Sequence, residues 1–258
     1  RWVEKEVRTR KGVKTVKTPL RVSWESLFPD EREREIVMKV NRMNIRLQKG
    51  MVLAVPRDMS GKTYMDFSPF PSRREPECVP RGEPVCSVRC ENCGQGGVEP
   101  RFKYVCEQEC EPQEKLACGP GGEALKEKTI IFDPQLLAWA AYDERGRLVN
   151  WGPAVGGKDW CGDINRPCRT VVGEFTIQSK KNRWAVSSLY PVAKDDQPAG
   201  GAPVPYFMMF ARGYGFHASP VVPGTHASHG CVRMFYDDAR WLNEEFAEIG
   251  TTVIVRPY

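Results

Sequence analysis

Histidine is scarce in this chain, with three in 258 residues. Long apolar runs are missing too: no stretch of 18 or more hydrophobic residues occurs, which excludes a membrane-spanning helix on sequence grounds. The opening Arg1-Trp-Val-Glu-Lys-Glu lacks the form of a signal peptide, so the protein is either cytosolic or has lost a leader ahead of this sequence. No nucleic-acid motif and no basic stripe interleaved with aromatics is present, which argues against a nucleic-acid partner. Close His-x-x-x-His or Cys-x-x-Cys ligand pairs are absent around the histidines, so neither a metal nor a cofactor is expected there. Excess acidity is lacking as well. The net charge is +5, and residues 1–50 alone hold 14 Lys/Arg against 7 Asp/Glu, which leaves −2 for the remainder. Two readings fit this basic start: attraction to an anionic polymer, or an ordinary solvated face.

The few histidines are concentrated. His217, His226 and His229 fall within 13 residues, next to Cys231 and far from the other nine cysteines. A free thiol of pKa about 8.5 is mostly protonated at neutral pH and needs a neighbouring base to become a nucleophile. It also needs amide N–H groups aimed at the oxyanion formed when it attacks a carbonyl. The glycine before the cysteine, Gly230, suits a tight backbone that can present such amides.

The string Ser228-His229-Gly230-Cys231-Val232-Arg233-Met234, with Tyr214-Gly215-Phe216-His217 upstream, resembles the signature of the L,D-transpeptidase (YkuD-type) catalytic domain. Arg169-Thr-Val-Val-Gly173-Glu-Phe175 and Pro205-Tyr-Phe-Met-Met-Phe210 extend the likeness, which spans roughly residues 128–256. The resemblance implies a mainly β, sandwich-like domain with a cysteine nucleophile and peptidoglycan stem peptides as substrate. It places catalysis on Cys231, His217, the backbone carbonyl of Ala218 and the backbone amide of Gly230, with His229 as the alternative base. Ser228, Arg233, Tyr214 and Phe216 would contact substrate, and His226 would sit exposed at a loop tip. Only ten residues separate His217 from Ser228, so the loop over the cysteine is short, and Ala218 stands where a glycine often follows the histidine.

Three regions follow from composition. Residues 1–60 form a basic unit whose valines at 3, 7, 13 and 16 suit a hairpin turning near Gly12. An acidic first turn then opens a helix carrying Ile36, Val37 and Val40. That helix, an Asn-containing turn and a strand at Met51–Val55 partly resemble a LysM glycan-binding module, and a plain structural cap fits equally. Residues 61–122 combine a Pro-punctuated linker with seven cysteines and few branched aliphatics, so covalent staples must hold this segment. The Cys-x-x-x-Cys spacings suit facing helical turns cross-linked as Cys86–Cys110 and Cys90–Cys106, although connectivity cannot be read from spacing.

Residues 123–258 form the catalytic region. Its features are a buried strand at Thr129–Asp133, a hairpin turn at Asp143-Glu-Arg-Gly146 and a loop closed by Cys161–Cys168. A helix capped at Asp237-Asp238 is expected to carry Ala239, Leu242, Phe246 and Ile249 on one face. Ten cysteines favour an oxidising compartment, which in a peptidoglycan-bearing cell is the periplasm or envelope. The expected activity is transfer of a stem peptide through a Cys231 thioester, with release of D-alanine. The alternatives are hydrolysis of that thioester, as in an L,D-carboxypeptidase, or a non-catalytic peptidoglycan-binding role.

Overall fold

The computed structural model describes residues 22–73, 127–192 and 198–258, together with the strand backbones of 2–9, 12–19, 86–91 and 101–106. Strands β1 (Trp2–Thr9) and β2 (Gly12–Pro19) pair antiparallel with Thr9 opposite Gly12. Helices α1 (Trp24–Leu27) and α2 (Glu31–Val40) follow. Ser23 caps the first through a reciprocal capping box with Ser26, and the Asp30 carboxylate accepts from the Glu33 amide to start the second. The segment expected as a strand, Met51–Val55, takes no strand conformation.

The cysteine-rich region contains strands β3 (Cys86–Glu91) and β4 (Arg101–Cys106), paired antiparallel, where helical turns were expected. Cys86 lies opposite Cys106 and Cys90 opposite Phe102. A four-residue cysteine spacing is equally compatible with one edge of a strand, where i and i+4 share a face. The expected Cys86–Cys110 and Cys90–Cys106 bridges lie outside the described residues.

Nine strands build the central sheet: β5 (Thr129–Asp133), β6 (Ala138–Tyr142), β7 (Leu148–Val155), β8 (Gly173–Thr176), β9 (Ser179–Lys180), β10 (Met208–Ala211), β11 (Tyr214–Ala218), β12 (Val232–Met234) and β13 (Thr252–Val255). Their spatial order is β8-β13-β5-β6-β7-β12-β11-β10-β9, parallel at β13–β5 and β11–β12 and antiparallel elsewhere. The sheet curls until its ends meet: Phe175 on β8 packs on Phe210 of β10 with ring centroids 5.6 Å apart, and the Gln178 amide donates to the Met209 carbonyl at 2.7 Å.

Period-2 alternation explains why the central strands read as unbroken apolar runs. Ile130, Phe132, Trp139, Ala141, Val253 and Val255 enter one core, shared with Phe216 and Val232. Ile131, Ala138, Ala140, Tyr142 and Ile254 face the other way, where Phe70, Tyr64, Met65 and Phe67 cover them. Residues 64–70 therefore close the second face of the sheet. Helix α3 (Tyr236–Trp241) continues as a π-helical turn over Leu242–Phe246, and Ala239, Leu242 and Phe246 are buried in the first core. The helical turn stops at Phe246, with Ala247 extended as its C-cap, so Ile249, expected on that face, lies beyond the helix and is exposed. The N-cap is Phe235, with no side-chain cap bond, rather than Asp237 or Asp238.

Asp238 has a different task. It is buried, and its carboxylate accepts from Lys39 Nζ of α2 at 2.8 Å. Lys39 is 2% exposed; it also donates to the Trp151 carbonyl and lies 3.5 Å from the centroid of the Tyr64 ring. Burial alone would push the ammonium toward its neutral form, but Asp238, Tyr64 and Glu35 together hold its pKa above the ordinary value. Asn44 completes the seam, accepting from the Val222 amide and donating to the Ser219 carbonyl on the loop that leaves β11.

Removing one member of such a pair strands a buried charge, which typically costs about 3–5 kcal/mol. Lys39→Ala and Asp238→Ala should each lose stability on that scale in denaturant titrations, and the double variant should lose clearly less than the sum. Additive losses would show that the two groups act independently.

Candidate active site

Parallel pairing of β11 and β12 assembles the site. Parallel strands need a long return connection, and here residues 219–231 make it, carrying the chain back to deliver Cys231 at the start of β12. The register pairs Phe216 with Val232, His217 with Arg233 and Ala218 with Met234. Phe216, Ala218, Val232 and Met234 all point into the first core. Alternation therefore sends His217 and Arg233 to the opposite face, and Cys231, two residues before Arg233, shares it. The Arg233 charge acts on both His217 and Cys231, as this placement requires.

His217 is 6% exposed, and its Nδ1 lies 2.8 Å from the Ala218 carbonyl oxygen. A carbonyl can only accept, so Nδ1 carries the proton and Nε2 is left as the basic nitrogen. Burial pushes the imidazole down to about 4, against the Ala218 hydrogen bond and reinforced by Arg233. Cys231 is a free thiol, partly exposed, with Sγ 3.7 Å from the Gly213 carbonyl. Burial pushes this thiol up to about 11, opposed by a backbone hydrogen bond and by the Arg233 charge. Thiol and imidazole, on one face of the sheet, are thus both neutral at rest.

The turn before Cys231 is held from three sides. Gly230 has φ +127°, and a Cβ there would lie 2.7 Å from the Tyr214 ring, so glycine is required twice over. Its amide, expected as an oxyanion donor, instead donates to Ser228 Oγ at 3.0 Å. Ser228 is 2% exposed and its hydroxyl donates to the Cys231 carbonyl, so it braces the turn rather than touching substrate. Thr170 Oγ1 donates to the Gly230 carbonyl at 2.7 Å and accepts from the Gly157 amide at 3.1 Å. Gly157 is indispensable as well: a Cβ there would fall 1.5 Å from the Cys168 carbonyl oxygen.

The other expected site residues separate. Phe216 is fully buried in the core and cannot reach substrate. Tyr214 is partly buried and packs against that core. Arg233 is partly exposed, and among the described residues it has no carboxylate or hydrogen-bond partner. His226, expected at an exposed loop tip, is a half-buried pin: its Nδ1 accepts from the Gly156 amide at 3.0 Å, and its ring packs on Tyr258 with centroids 4.7 Å apart. Its pKa is lowered chiefly by burial. His229 turns away toward the loop closed by the Cys161–Cys168 disulfide, with Nε2 2.7 Å from Asp163 Oδ2 and its ring packed at a tilt against Tyr190. Cys161, Asp163 and His229 bring ligand-type atoms within 4.8 Å of one another, but that sulfur is already committed to the disulfide. Thr170 and Asp163 went unnoticed in the sequence because a lone threonine or loop aspartate carries no spacing signal.

A thiol near 11 makes alkylation of Cys231 rise about tenfold per pH unit across neutral and mildly alkaline pH. Iodoacetamide rates with peptide mapping should show this, and a plateau reached below pH 6 would mean a resting ion pair instead. Unfolded histidine binds more protons than buried His217 between about 4 and 6.5, so this group makes stability fall as pH drops through that window.

A model of the L,D-transpeptidase catalytic domain (YkuD) matches residues 127–255, half of the chain. No curated protein matches the sequence. Among solved structures, an L,D-transpeptidase from Xylanimonas cellulosilytica is 23% identical, covering 52% of this chain and 62% of that one, with a TM-score of 0.43. One from Mycobacterium smegmatis is 22% identical over 51% and 59% of the two chains, with a TM-score of 0.40. L,D-transpeptidase 3 from Mycobacterium tuberculosis, in complex with a faropenem-derived adduct, is 24% identical over 50% and 60%, also at 0.40. The chain thus spans about 60% of the length of the structures it matches. By the family match, this chain belongs to the YkuD L,D-transpeptidase catalytic-domain family.

Proposed function

We propose that the chain is a cysteine L,D-transpeptidase acting on peptidoglycan stem peptides in the cell envelope. The observation that carries this reading is the shared sheet face of His217, Arg233 and Cys231, with Nε2 of His217 left basic by the Ala218 hydrogen bond. Nε2 takes the thiol proton as Sγ attacks the amide carbonyl at the third residue of a donor stem. Proton transfer in step with attack avoids forming the isolated thiolate that burial disfavours. With the Gly230 amide committed to Ser228, the Cys231 amide is the donor we assign to the oxyanion.

Collapse of the tetrahedral species passes the proton from Nε2 to the departing amine, releases terminal D-alanine and leaves the acyl group on sulfur as a thioester. An amine of a second stem then attacks the thioester. Its proton goes to Nε2 and on to the departing sulfur, restoring the thiol and closing the cross-link. To Arg233, without a protein carboxylate partner among the described residues, we assign the binding of a substrate carboxylate. The Cys161–Cys168 disulfide fits an oxidising compartment.

Incubation with tetrapeptide-stem muropeptides and mass analysis tests the reading. D-alanine release with a cross-linked dimer is expected, lost in Cys231→Ala with its fold retained, and reduced at least about 100-fold in His217→Ala. Products ending only in free carboxylates would make it a carboxypeptidase, and cross-linking by Cys231→Ala would remove the cysteine from the mechanism.

A further inference from the structure

We propose that Asp163 is a positioning residue for the nucleophile turn, acting through His229 and held in place by the Cys161–Cys168 disulfide. This rests on the transpeptidase reading of Cys231. Residues 161–168 form a small closed ring. The Cys161 amide donates to the Arg166 carbonyl at 2.9 Å, the Arg166 amide donates back at 3.3 Å, and the disulfide shuts the loop. Asp163 projects from it, about half exposed, and its carboxylate meets His229 Nε2 at 2.7 Å. The opposite contact on that imidazole is the Tyr190 ring, with centroids 4.7 Å apart, and the Tyr190 hydroxyl in turn accepts from Arg166 Nη2 at 3.3 Å. The imidazole is therefore gripped between two loops that are themselves joined.

What it grips is the backbone next to the nucleophile. His229 lies between Ser228, whose hydroxyl receives the Gly230 amide, and Gly230, whose positive φ sets the direction of Cys231. The closed loop also meets this backbone directly: Cys161 Sγ lies 3.9 Å from the Ser228 carbonyl oxygen, which accepts from the Lys158 amide just ahead of the loop at 3.0 Å. A surface carboxylate–imidazole contact of this kind contributes little to global stability. Its leverage is on geometry, since displacing a reacting group by about 1 Å can cost on the order of 100-fold in rate. The His229 bond lowers the Asp163 pKa, so the carboxylate stays ionised in this contact.

The test uses the full chain and compares wild type with Asp163→Ala, Asp163→Asn, Cys161→Ser/Cys168→Ser and the triple variant carrying Asp163→Ala with both serines. The readouts are the second-order rate of Cys231 acylation by a carbapenem, followed by intact mass, and the melting temperature. Asp163→Ala should acylate about tenfold more slowly with its melting temperature little changed. Asp163→Asn, which keeps an acceptor oxygen, should recover most of the rate. The double serine variant should be slowed similarly, and the triple no further, because both changes release one clasp. Wild-type rates in Asp163→Ala, multiplicative losses in the triple variant, or an Asp163→Asn as slow as Asp163→Ala would each overturn the proposal while leaving the transpeptidase reading intact. A wild-type protein that forms no adduct would overturn both.

Discussion

Parallel pairing of two short strands governs this molecule. β11 and β12 are joined in a direction no tight turn can provide, so the chain must run back along them, and that return segment carries the candidate site. The core fixes which way the strands face. Phe216, Ala218, Val232 and Met234 are all buried to 1% exposure or less, and a one-residue slip would turn each of them outward. The alignment of the candidate site is thus inherited from hydrophobic packing: the same register that buries four apolar side chains brings His217 beside Arg233 and within one sheet face of Cys231. Burial has an electrostatic consequence as well, holding thiol and imidazole neutral at rest.

Around that ladder the structure is over-determined. Ser228, Thr170 and the tolerance of Gly230 for positive φ fix the turn, and His226 ties the loop to the Gly156 amide. From the other side of the sheet, α2 inserts Lys39 against Asp238 at the start of the helix that directly follows β12. The residues ahead of the family match therefore do structural work on the central sheet: 64–70 seal its second face, and Asn44 reaches the segment leaving β11. An exposed second face would have required polar residues where Ile131, Ala140 and Ile254 stand.

Much of this was legible in the residues. The concentration of histidines beside a lone cysteine, the Gly before it and the Asp143–Gly146 turn all have local physical causes and lie where local chemistry put them, with Gly146 at φ +69°. Roles that depend on long-range packing were not. Phe216 and Ser228 sit within the signature but serve the core and the turn, because strand alternation and a bond two residues away decide their direction. His226 and His229 differ from His217 only in what the rest of the fold brings to them: Gly156 and Tyr258 for one, Asp163 and Tyr190 for the other. Asp238 read as a helix cap by its type and is a buried counter-ion, since its partner is 199 residues away. The cysteines at 86, 90 and 106 read as helical by spacing and lie on strands, because a spacing of four satisfies both periods.

The central claim is that His217 waits as a neutral imidazole with its proton on Nδ1 and Nε2 left as the basic nitrogen, on the sheet face it shares with Cys231. Nitrogen-15 NMR of the His217 ring across pH measures this directly. The account predicts a protonated Nδ1 and a bare Nε2 at neutral pH, with a second proton added only near pH 4. An imidazolium at pH 7, or the proton found on Nε2, would contradict it.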